Sequence, residues 1–239
     1  MVTFGELGKY GRMGNALFQL SAAIGYAKKH NTEYLFPRWN ESVYFNIAPE
    51  HFPSFFRYQN KYEEKNFWHE EIPFIPNVSL HGYFQSEKYF THCKDEIKAL
   101  LMPKQMPQSL DCCSVHVRRG DYVKLADFHT NLGMDYYFKA MEQIPNAKFL
   151  IVFDDPGWCH QHFTGNDFTI KGPGSAIDDF KTLISCTHNI IANSSFSWWG
   201  AYLNKNPNKI VVSPKNWFGP KLSHDHPIHD LIPEGWIQC

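Results

Sequence analysis

The chain has 239 residues, of which 43% are hydrophobic, 16% aromatic and 20% charged. This composition is typical of a globular protein and excludes a disordered or fibrous chain. Lys and Arg number 23 against 24 Asp and Glu, which gives a formal charge of −1. Because the charge is balanced and no basic run occurs, we expect no nucleic-acid partner.

Cysteine content and the amino terminus bear on the compartment. The six cysteines are too sparse for a disulfide scaffold and form no Cys-x-x-Cys motif, so we expect reduced thiols. The amino-terminal residues lack the basic and apolar regions of a secretion signal, and no stretch approaches the ~18 apolar residues that a membrane span needs. We therefore expect a cytoplasmic protein without a transmembrane segment.

The first part of the chain predicts a small, incomplete α/β domain. A strand at 2–4 is followed by a glycine-spaced loop and by a helix whose apolar residues run from Leu17 to Ala27. Segment 37–76 shows no period, and we expect irregular structure there. A strand at 79–84 and a helix at 86–101 complete this part.

Beyond a Pro-containing linker at 103–107, predicted strands alternate regularly with predicted helices. The strands are 113–118, 149–153, 189–192 and 210–213, and the helices are 135–144, 176–186 and 196–204. This alternation indicates a doubly wound parallel sheet, in which ligands bind at the carboxyl ends of the strands. We expect two domains, 1–105 and 106–239.

The motif His116-Val117-Arg118-Arg119-Gly120-Asp121-Tyr122 stands at the end of a predicted strand. His116 and Arg118 share one face because side chains alternate along a strand, and Gly120 lets the backbone turn. Two guanidinium groups at a strand end suit bidentate phosphate recognition. The alternative is that Arg118 or Arg119 pairs with Asp121 or another carboxylate and serves packing.

A second motif, Asn193-Ser194-Ser195-Phe196-Ser197-Trp198-Trp199-Gly200, joins a predicted strand to a helix. Ser194 or Ser195 at the start of that helix leaves backbone N–H groups and the positive end of the helix dipole available to an anion such as phosphate. The alternative is a simple serine cap with both tryptophans in the core.

Two further segments also follow predicted strands. The loop that holds Gly14 and Asn15 permits close approach to a ligand, but it matches neither the dinucleotide fingerprint nor a P-loop. Asp154 or Asp155 could accept the paired N–H donors of a purine such as guanine, and the alternative is a helix cap or turn.

We expect no metal site, although histidines cluster at 160–162 and 224–229. Zinc at either cluster is disfavoured because no cysteine pair completes a structural site.

Together these motifs resemble the family 11 glycosyltransferases, the α-1,2-fucosyltransferases. The similar segments are 11–19, 82–90, 116–122, 153–155 and 179–203, and they span nearly the whole chain in the family's order. The resemblance implies a GT-B-like fold of two Rossmann-like α/β domains, the N-terminal one small and incomplete. It also implies an enzyme that transfers fucose from GDP-β-L-fucose to the 2-OH of a galactose, with inversion and without a metal or other cofactor.

The resemblance further implies roles for the motif residues. Domain 1–105 would lie on the acceptor side, and domain 106–239 would bind GDP-fucose. The implied catalytic residues are Arg118 and Arg119, which would neutralise the departing pyrophosphate, with His116 and Asp121, and also Glu87, as candidates for the base. The implied donor-binding residues are Gly14, Asn15, Asp154, Asp155, Asn193, Ser194, Ser195 and Phe196.

The chain departs from the family pattern in three places and leaves alternatives open. Ala16 replaces the Gln commonly found after Gly-Asn, and Phe153 replaces a Ser before the Asp pair. The middle of the N-terminal domain, which is expected to shape the acceptor site, is shorter than the family pattern implies. The alternatives are a related fucosyltransferase of another linkage or another GDP-sugar, and a non-catalytic sugar-binding protein. The expected partners are GDP-fucose and a galactose-containing glycan, and a glycolipid acceptor would allow peripheral contact with a membrane.

Overall fold

The computed structural model describes all 239 residues and divides into two compact units. Unit 1 comprises Met1–Lys104 and His226–Pro233, and unit 2 comprises Gln105–Asp225 and Glu234–Cys239. The chain therefore leaves unit 1 next to the boundary expected from the sequence. The tail departs from that expectation, because His226–Pro233 packs with unit 1 and places the apolar side chains of Leu231 and Ile232 out of solvent.

Unit 1 is built around a small parallel sheet and one long helix. The sheet has the strand order β1-β3-β2, with β1 at Val2–Thr3, β2 at Asn60–Glu63 and β3 at Val78–His81. Helix α1, Met13–Lys29, buries its apolar residues, as the sequence predicts. Strand β2 lies in the segment predicted to be irregular, because its polar and mostly exposed residues show no apolar alternation.

The predicted helix at 86–101 is divided in the structure. Residues Glu87–Tyr89 and Thr91–Cys93 form 3-10 turns, and only Lys94–Leu101 is α-helical, as α2. The break lies where this segment contacts α1, since a Cβ added to Gly25 of α1 would lie 2.3 Å from the carbonyl oxygen of Tyr89. Glycine at position 25 therefore permits the close approach of the two backbones.

Unit 2 contains a six-stranded parallel sheet in the order β6-β5-β4-β7-β8-β9. The strands are β4 Leu110–Val117, β5 Phe149–Phe153, β6 Phe168–Ile170, β7 Cys186–Ile190, β8 Val211–Ser213 and β9 Ile237–Gln238. The helices are α3 Met134–Glu142, α4 Pro156–His162, α5 Ala176–Ser185 and α6 Ser195–Leu203. The two parallel α/β units, of which the first has the smaller sheet, confirm the predicted α/β class.

Three elements of unit 2 are absent from the sequence prediction. Helix α4 buries only Cys159 and so lacks an apolar stripe, while β6 and β9 are three and two residues long. Strand β7 also begins earlier than predicted, at the residue that directly follows α5. Such short or half-exposed elements carry little periodic signal. None of the helices in either unit combines the length and apolar character needed to cross a membrane.

Candidate active site in unit 2

The parallel sheet of unit 2 brings three of the predicted motifs to one edge. Strand β4 is flanked by β5 and β7, and all three run in the same direction. Their carboxyl ends lead into residues 118–122, 154–155 and 191–196 respectively. Because ligands of open parallel sheets bind outside the carboxyl ends of the strands, this edge is the candidate active site.

Asp154 organises the turn that follows β4. Its Oδ1 atom accepts the backbone N–H groups of Arg119 at 2.7 Å and Gly120 at 3.1 Å, and its Oδ2 atom accepts Nη1 of Arg118 at 2.5 Å. A Cβ on Gly120 would lie 2.8 Å from Oδ2 of Asp154. Glycine is therefore required here because the carboxylate closely approaches the backbone.

Arg118 connects this turn to the segment after β7. Its Nη2 atom donates to Asp121, and its guanidinium lies 5.1 Å from the ring centroid of Tyr122. The Tyr122 hydroxyl in turn donates to the backbone oxygen of Asn193 at 3.2 Å. One continuous set of contacts thus joins the ends of β4, β5 and β7.

Arg119 lies between β5 and α4. Its Nε atom donates to Asp155 at 3.3 Å, its Nη1 atom donates to Asn131 at 3.3 Å, and its guanidinium lies 4.4 Å from the Trp158 ring centroid. Asp155 also caps α4 by accepting the N–H of Trp158 at 3.1 Å. The Arg119 side chain is 17% exposed, so its position is set on several sides.

The structure therefore contains the ion pairs that the sequence offered as an alternative to phosphate binding. Arg118 pairs with Asp121 and Asp154, and Arg119 pairs with Asp155, which is also the cap of α4. A guanidinium carries five N–H donors, so each arginine retains donors for a further anion. The proposed contact of Asp154 or Asp155 with guanine stays a prediction.

The segment that leads into α6 is held by hydrogen bonds, whereas the N-cap side chain of α6 makes no bond to the N–H groups of the first turn. The Nδ2 atom of Asn193 donates to the backbone oxygens of Thr130 at 2.9 Å and Trp217 at 2.8 Å. Ser194 is the N-cap residue, but its side chain makes no capping bond. The tryptophans of this motif, Trp198 and Trp199, are fully buried in the core.

The buried His116 and the partly exposed Phe196 lie side by side at this edge, with ring centroids 5.6 Å apart. Burial lowers the pKa of His116 to about 4, so its imidazole is neutral at pH 7. Its Nδ1 atom is buried without a hydrogen-bond partner. A group this weakly basic is poorly matched to proton abstraction near neutral pH, which favours a positioning role over that of the base.

Gly14 and Asn15 lie in unit 1, in the first turn of α1. The Oδ1 atom of Asn15 accepts Nε2 of Gln85 at 2.9 Å, and the Asn15 side chain folds back onto Gly11, whose φ is 82°. Glu87 lies in the 3-10 turn Glu87–Tyr89 of the same unit. Their contacts with a donor or acceptor stay predictions.

Several residues of the candidate active site were not selected from the sequence. Tyr122 lies within the arginine motif, so the motif alone pointed to it as a contact between Arg118 and the segment after β7. Asn131 and Trp158 lie outside every motif found in the sequence. Tyr137 is also present, with its hydroxyl 3.4 Å from the backbone oxygen of His116. No group of three or more His, Cys, Asp or Glu side chains is arranged to hold a metal ion.

Known proteins resemble this chain in sequence. The O-antigen biosynthesis glycosyltransferase WbnK of Escherichia coli is 42% identical over 127 residues, covering 48% of this chain and 42% of that protein. The alpha-1,2-colitosyltransferase of Escherichia coli is 30% identical over 185 residues, covering 68% and 62% respectively. The galactoside 2-alpha-L-fucosyltransferase Sec1 of Mus musculus is 29% identical over 180 residues, covering 69% and 45%.

The chain thus spans between 42% and 62% of the length of these three relatives. The family model for glycosyl transferase family 11 matches residues 19–238, which include the whole of the arginine and serine motifs at the sheet edge. By this match, the chain belongs to glycosyl transferase family 11.

Proposed function

We propose that this chain transfers fucose from GDP-β-L-fucose to the 2-OH of a galactose in a glycan, with inversion. Membership of glycosyl transferase family 11 supports glycosyl transfer, and a relative that covers 69% of the chain is a galactoside 2-alpha-L-fucosyltransferase. In this proposal unit 2 binds the GDP moiety, and Gly14 and Asn15 are further donor-binding residues.

The observation that carries the proposal is the pair of immobilised arginines at the sheet edge to which the segment before α6 also belongs. When fucose leaves GDP, negative charge grows on the β-phosphate while the sugar acquires oxocarbenium character. Fixed guanidinium groups and helix-terminal N–H groups stabilise that growing charge more than they stabilise the ground state. Arg118 and Arg119 are already oriented, so little reorganisation accompanies the reaction.

The three carboxylates of the site support the same chemistry by holding the arginines in place. Asp154 and Asp155 keep the guanidinium groups at the sheet edge. An incoming pyrophosphate binds the N–H donors that the aspartates do not use. For either aspartate to bind guanine, one of its carboxylate oxygens must accept a hydrogen bond from the base, either in addition to or in place of a bond to the protein. The ion pair of Asp121 with Arg118 supports a role for Asp121 in orienting that arginine, and not the role of base.

A second donor is favoured by a specific relative. The alpha-1,2-colitosyltransferase of Escherichia coli is 30% identical to this chain, so a GDP-linked deoxy sugar other than fucose is the alternative donor. The two donors share the GDP moiety and differ only in the sugar. Competition between GDP-fucose and GDP-colitose in the same transfer assay distinguishes them, because the preferred donor gives the higher kcat/KM.

The test of the proposal is GDP release from GDP-fucose, measured with and without lactose and in the presence of EDTA. Lactose-dependent release in EDTA supports a fucosyltransferase that needs no metal. Stabilisation by GDP but not UDP, without transfer to lactose, supports the donor site and contradicts this acceptor. Sugar binding without GDP release to any acceptor supports the non-catalytic alternative, and the absence of any response to GDP overturns the proposal.

Replacement of Arg119 gives the sharpest prediction for this site. We expect Arg119→Ala to lower kcat by about 10²–10³-fold, because it removes one fixed donor from the developing phosphate charge. Arg119→Lys restores only part of the rate, since an ammonium lacks the planar donor geometry. Steady-state GDP release measures both variants, and circular dichroism confirms that each is folded.

The control is Arg38→Ala, which removes an exposed arginine of unit 1. It should leave kcat near the wild-type value. Near-normal turnover by Arg119→Ala would contradict the assignment of the arginine pair to the donor.

We also propose a cytoplasmic location and an acceptor that a glycolipid could present at a membrane surface. All six cysteines are free, which supports a reducing compartment. Thiol labelling of intact cells with a membrane-impermeant reagent, followed by lysis and fractionation, tests the location. Transfer of fucose to a galactose-terminated glycolipid in vesicles tests the acceptor.

A further inference from the structure

The carboxyl edge of the unit 1 sheet carries polar and aromatic residues to which the donor site gives no role. Glu63 at the end of the mostly exposed β2 pairs in register with His81 at the end of the buried β3. The loop after β1 places Glu6 beside them, with its Oε2 atom 3.7 Å from Nδ1 of His81. By the rule for parallel sheets, this edge is a second place where a ligand can bind.

Glu6 lies between two groups that orient its carboxylate. His81 faces it from β3, and the Tyr10 hydroxyl donates a hydrogen bond to it, which raises the pKa of the Tyr10 phenol. The Glu6 side chain is 36% exposed, so part of the carboxylate remains open to a ligand. An ionised carboxylate only accepts hydrogen bonds, and it therefore suits the hydroxyl groups of a sugar.

His81 supplies an independent sign of a ligand. Its side chain is 9% exposed, and neither ring nitrogen has a hydrogen-bond partner. Leaving a buried polar group unpaired is costly, so such groups mark places where another partner completes the bonds. Its Nδ1 atom points towards Glu6, and a small closure of the 3.7 Å separation would complete a His81–Glu6 hydrogen bond when a ligand orders the carboxylate.

The tyrosine that bonds to this carboxylate, Tyr10, has a second exposed tyrosine ring, Tyr83, as its neighbour. Tyr10 and Tyr83 are each 41% exposed, and their ring centroids lie 6.5 Å apart at an interplanar angle of 83°. Aromatic rings that keep one face in solvent are suited to amphipathic ligands, because they combine apolar contact with a polar edge. The C–H face of a galactopyranose ring is a ligand of this kind.

The backbone under both rings is immobilised. Nε2 of the buried Gln19 donates to the backbone oxygens of Tyr10 and Gly82, each at 3.3 Å. Glu64 accepts the N–H groups of Tyr83 at 2.6 Å and Phe84 at 2.9 Å, across a turn in which Gly82 has a φ of 145°. The rings are therefore presented by a rigid support, which lowers the entropic cost of ordering them on binding.

We infer that Glu6, Tyr10 and Tyr83 form the subsite for a terminal β-galactoside acceptor, with His81 as the residue that positions Glu6. This inference rests on the proposed function for the identity of the sugar. In it the Tyr10 and Tyr83 rings contact the C–H face of the galactose, and the Glu6 carboxylate accepts one or more of its hydroxyl groups.

The test measures lactose and GDP binding separately for the full chain. Lactose binding is followed by saturation-transfer NMR and by the acceptor KM of GDP release, and GDP binding is followed by calorimetry. The variants are Tyr83→Ala and Glu6→Gln, which remove a ring or a charge and keep the backbone bonds of the turn. The matched control is Tyr44→Ala, which removes a ring of similar exposure, 39%, elsewhere in unit 1.

We expect Tyr83→Ala and Glu6→Gln each to weaken lactose binding about tenfold, with GDP affinity and the control unchanged. His81→Phe tests positioning: it should raise the acceptor KM as Glu6→Gln does, and combining the two changes should add little. Lactose affinity that is the same in wild type, Tyr83→Ala and Glu6→Gln would overturn the subsite.

The absence of any lactose signal from wild type would also overturn this subsite. GDP affinity keeps the two proposals separate. If GDP binds and lactose does not, the acceptor subsite fails and the donor site stands. If lactose binds as predicted and GDP-fucose gives no release, the subsite stands and the proposed transfer fails.

Discussion

At the scale of single residues, Glu64 shows how a buried carboxyl group can limit stability while it orders a turn. Burial raises the pKa of Glu64 from 4.5 to about 7, although the N–H groups of Tyr83 and Phe84 donate to it and oppose this shift. The folded protein therefore binds the Glu64 proton more tightly than the unfolded chain does. By linkage, the associated stability is complete below pH 4.5 and is lost as the pH rises through about 7.

We predict that Glu64→Gln removes this pH dependence. The free energy of unfolding of wild type, relative to that of the variant, should fall by about 3 kcal/mol between pH 4.5 and pH 8, because a raised pKa penalises ionisation of the folded state. Urea unfolding at a series of pH values measures the difference, and the comparison cancels groups that titrate equally in both proteins.

Glu63→Gln is the neighbouring control. Its exposed carboxyl bonds to Lys61, which lowers the pKa of Glu63 and gives a dependence of the opposite sign. A wild-type minus Glu64→Gln difference that stays constant from pH 4.5 to pH 8 would contradict the prediction.

The candidate site illustrates how far sequence reasoning extends at this scale. The motif residues were found because parallel strands deliver their following residues to one edge, and β4, β5 and β7 do so. The hydrogen-bond partners of each arginine could not be predicted from the sequence. Arg118 meets Asp154 because Val117 of β4 pairs in register with Phe153 of β5. A separation of 36 residues in the chain carries no local signal of that register.

At the scale of secondary-structure elements, the contact between α5 and α6 depends on Gly200. A Cβ at this position would lie 2.7 Å from Cβ of Leu183, an atom attached directly to the α5 backbone. Leu183 cannot move this atom away by changing rotamer. The small residue therefore sets the distance between the two helices.

We predict that Gly200→Ala lowers the free energy of unfolding by up to about 2 kcal/mol. Overpacking costs about 1–3 kcal/mol, and the higher helix propensity of alanine returns about 1 kcal/mol. Gly157→Ala in α4 is the matched control, because its added Cβ meets nothing closer than Asp155 Oδ1 at 3.9 Å. That change should stabilise the protein slightly, and a Gly200→Ala variant of equal or greater stability than wild type would contradict the packing argument.

The elements that sequence analysis predicted are those with a long apolar period. Helix α5 buries one face over several turns, α1 is buried on all sides over 16–27, and β5 is a continuous apolar strand, so the predicted elements are present. Strand β2 and helix α4 lack such a pattern, so the sequence does not predict them. They are stabilised by tertiary contacts and not by local preference. For segment 86–101 the sequence predicts more helix than the structure contains. Its apolar pattern continues through the whole segment, but the helix is interrupted where the segment contacts α1.

At the scale of the whole molecule, the chain returns to unit 1 near its carboxyl terminus. Segment His226–Pro233 belongs to unit 1, although the residues on both sides of it belong to unit 2. No apolar period announces this return, and its polar and Pro-containing sequence led to the expectation that it stays with the second domain. Besides the buried side chains of Leu231 and Ile232, the segment is connected to the rest of unit 1 by one buried carboxylate, Asp230.

Asp230 makes two bonds with residues far from it in sequence. Its Oδ2 atom accepts the N–H of His69 at 2.9 Å, and its Oδ1 atom accepts Nζ of Lys88. Burial alone would raise the pKa of Asp230, but these bonds hold it below the ordinary value. The stability that Asp230 contributes is therefore present near neutral pH and is lost as the pH falls through that lowered value.

We predict that Asp230→Ala destabilises unit 1 by about 1–3 kcal/mol, because the His69 amide loses its acceptor in a buried setting. Hydrogen exchange should accelerate at the His69 amide and in β3, while the strands β4 and β5 of unit 2 respond less. The control is Asp225→Ala, which removes an exposed aspartate paired with His224 just before the returning segment. Unchanged exchange at His69, or faster exchange confined to unit 2, would show that the returning segment does not stabilise unit 1 through Asp230.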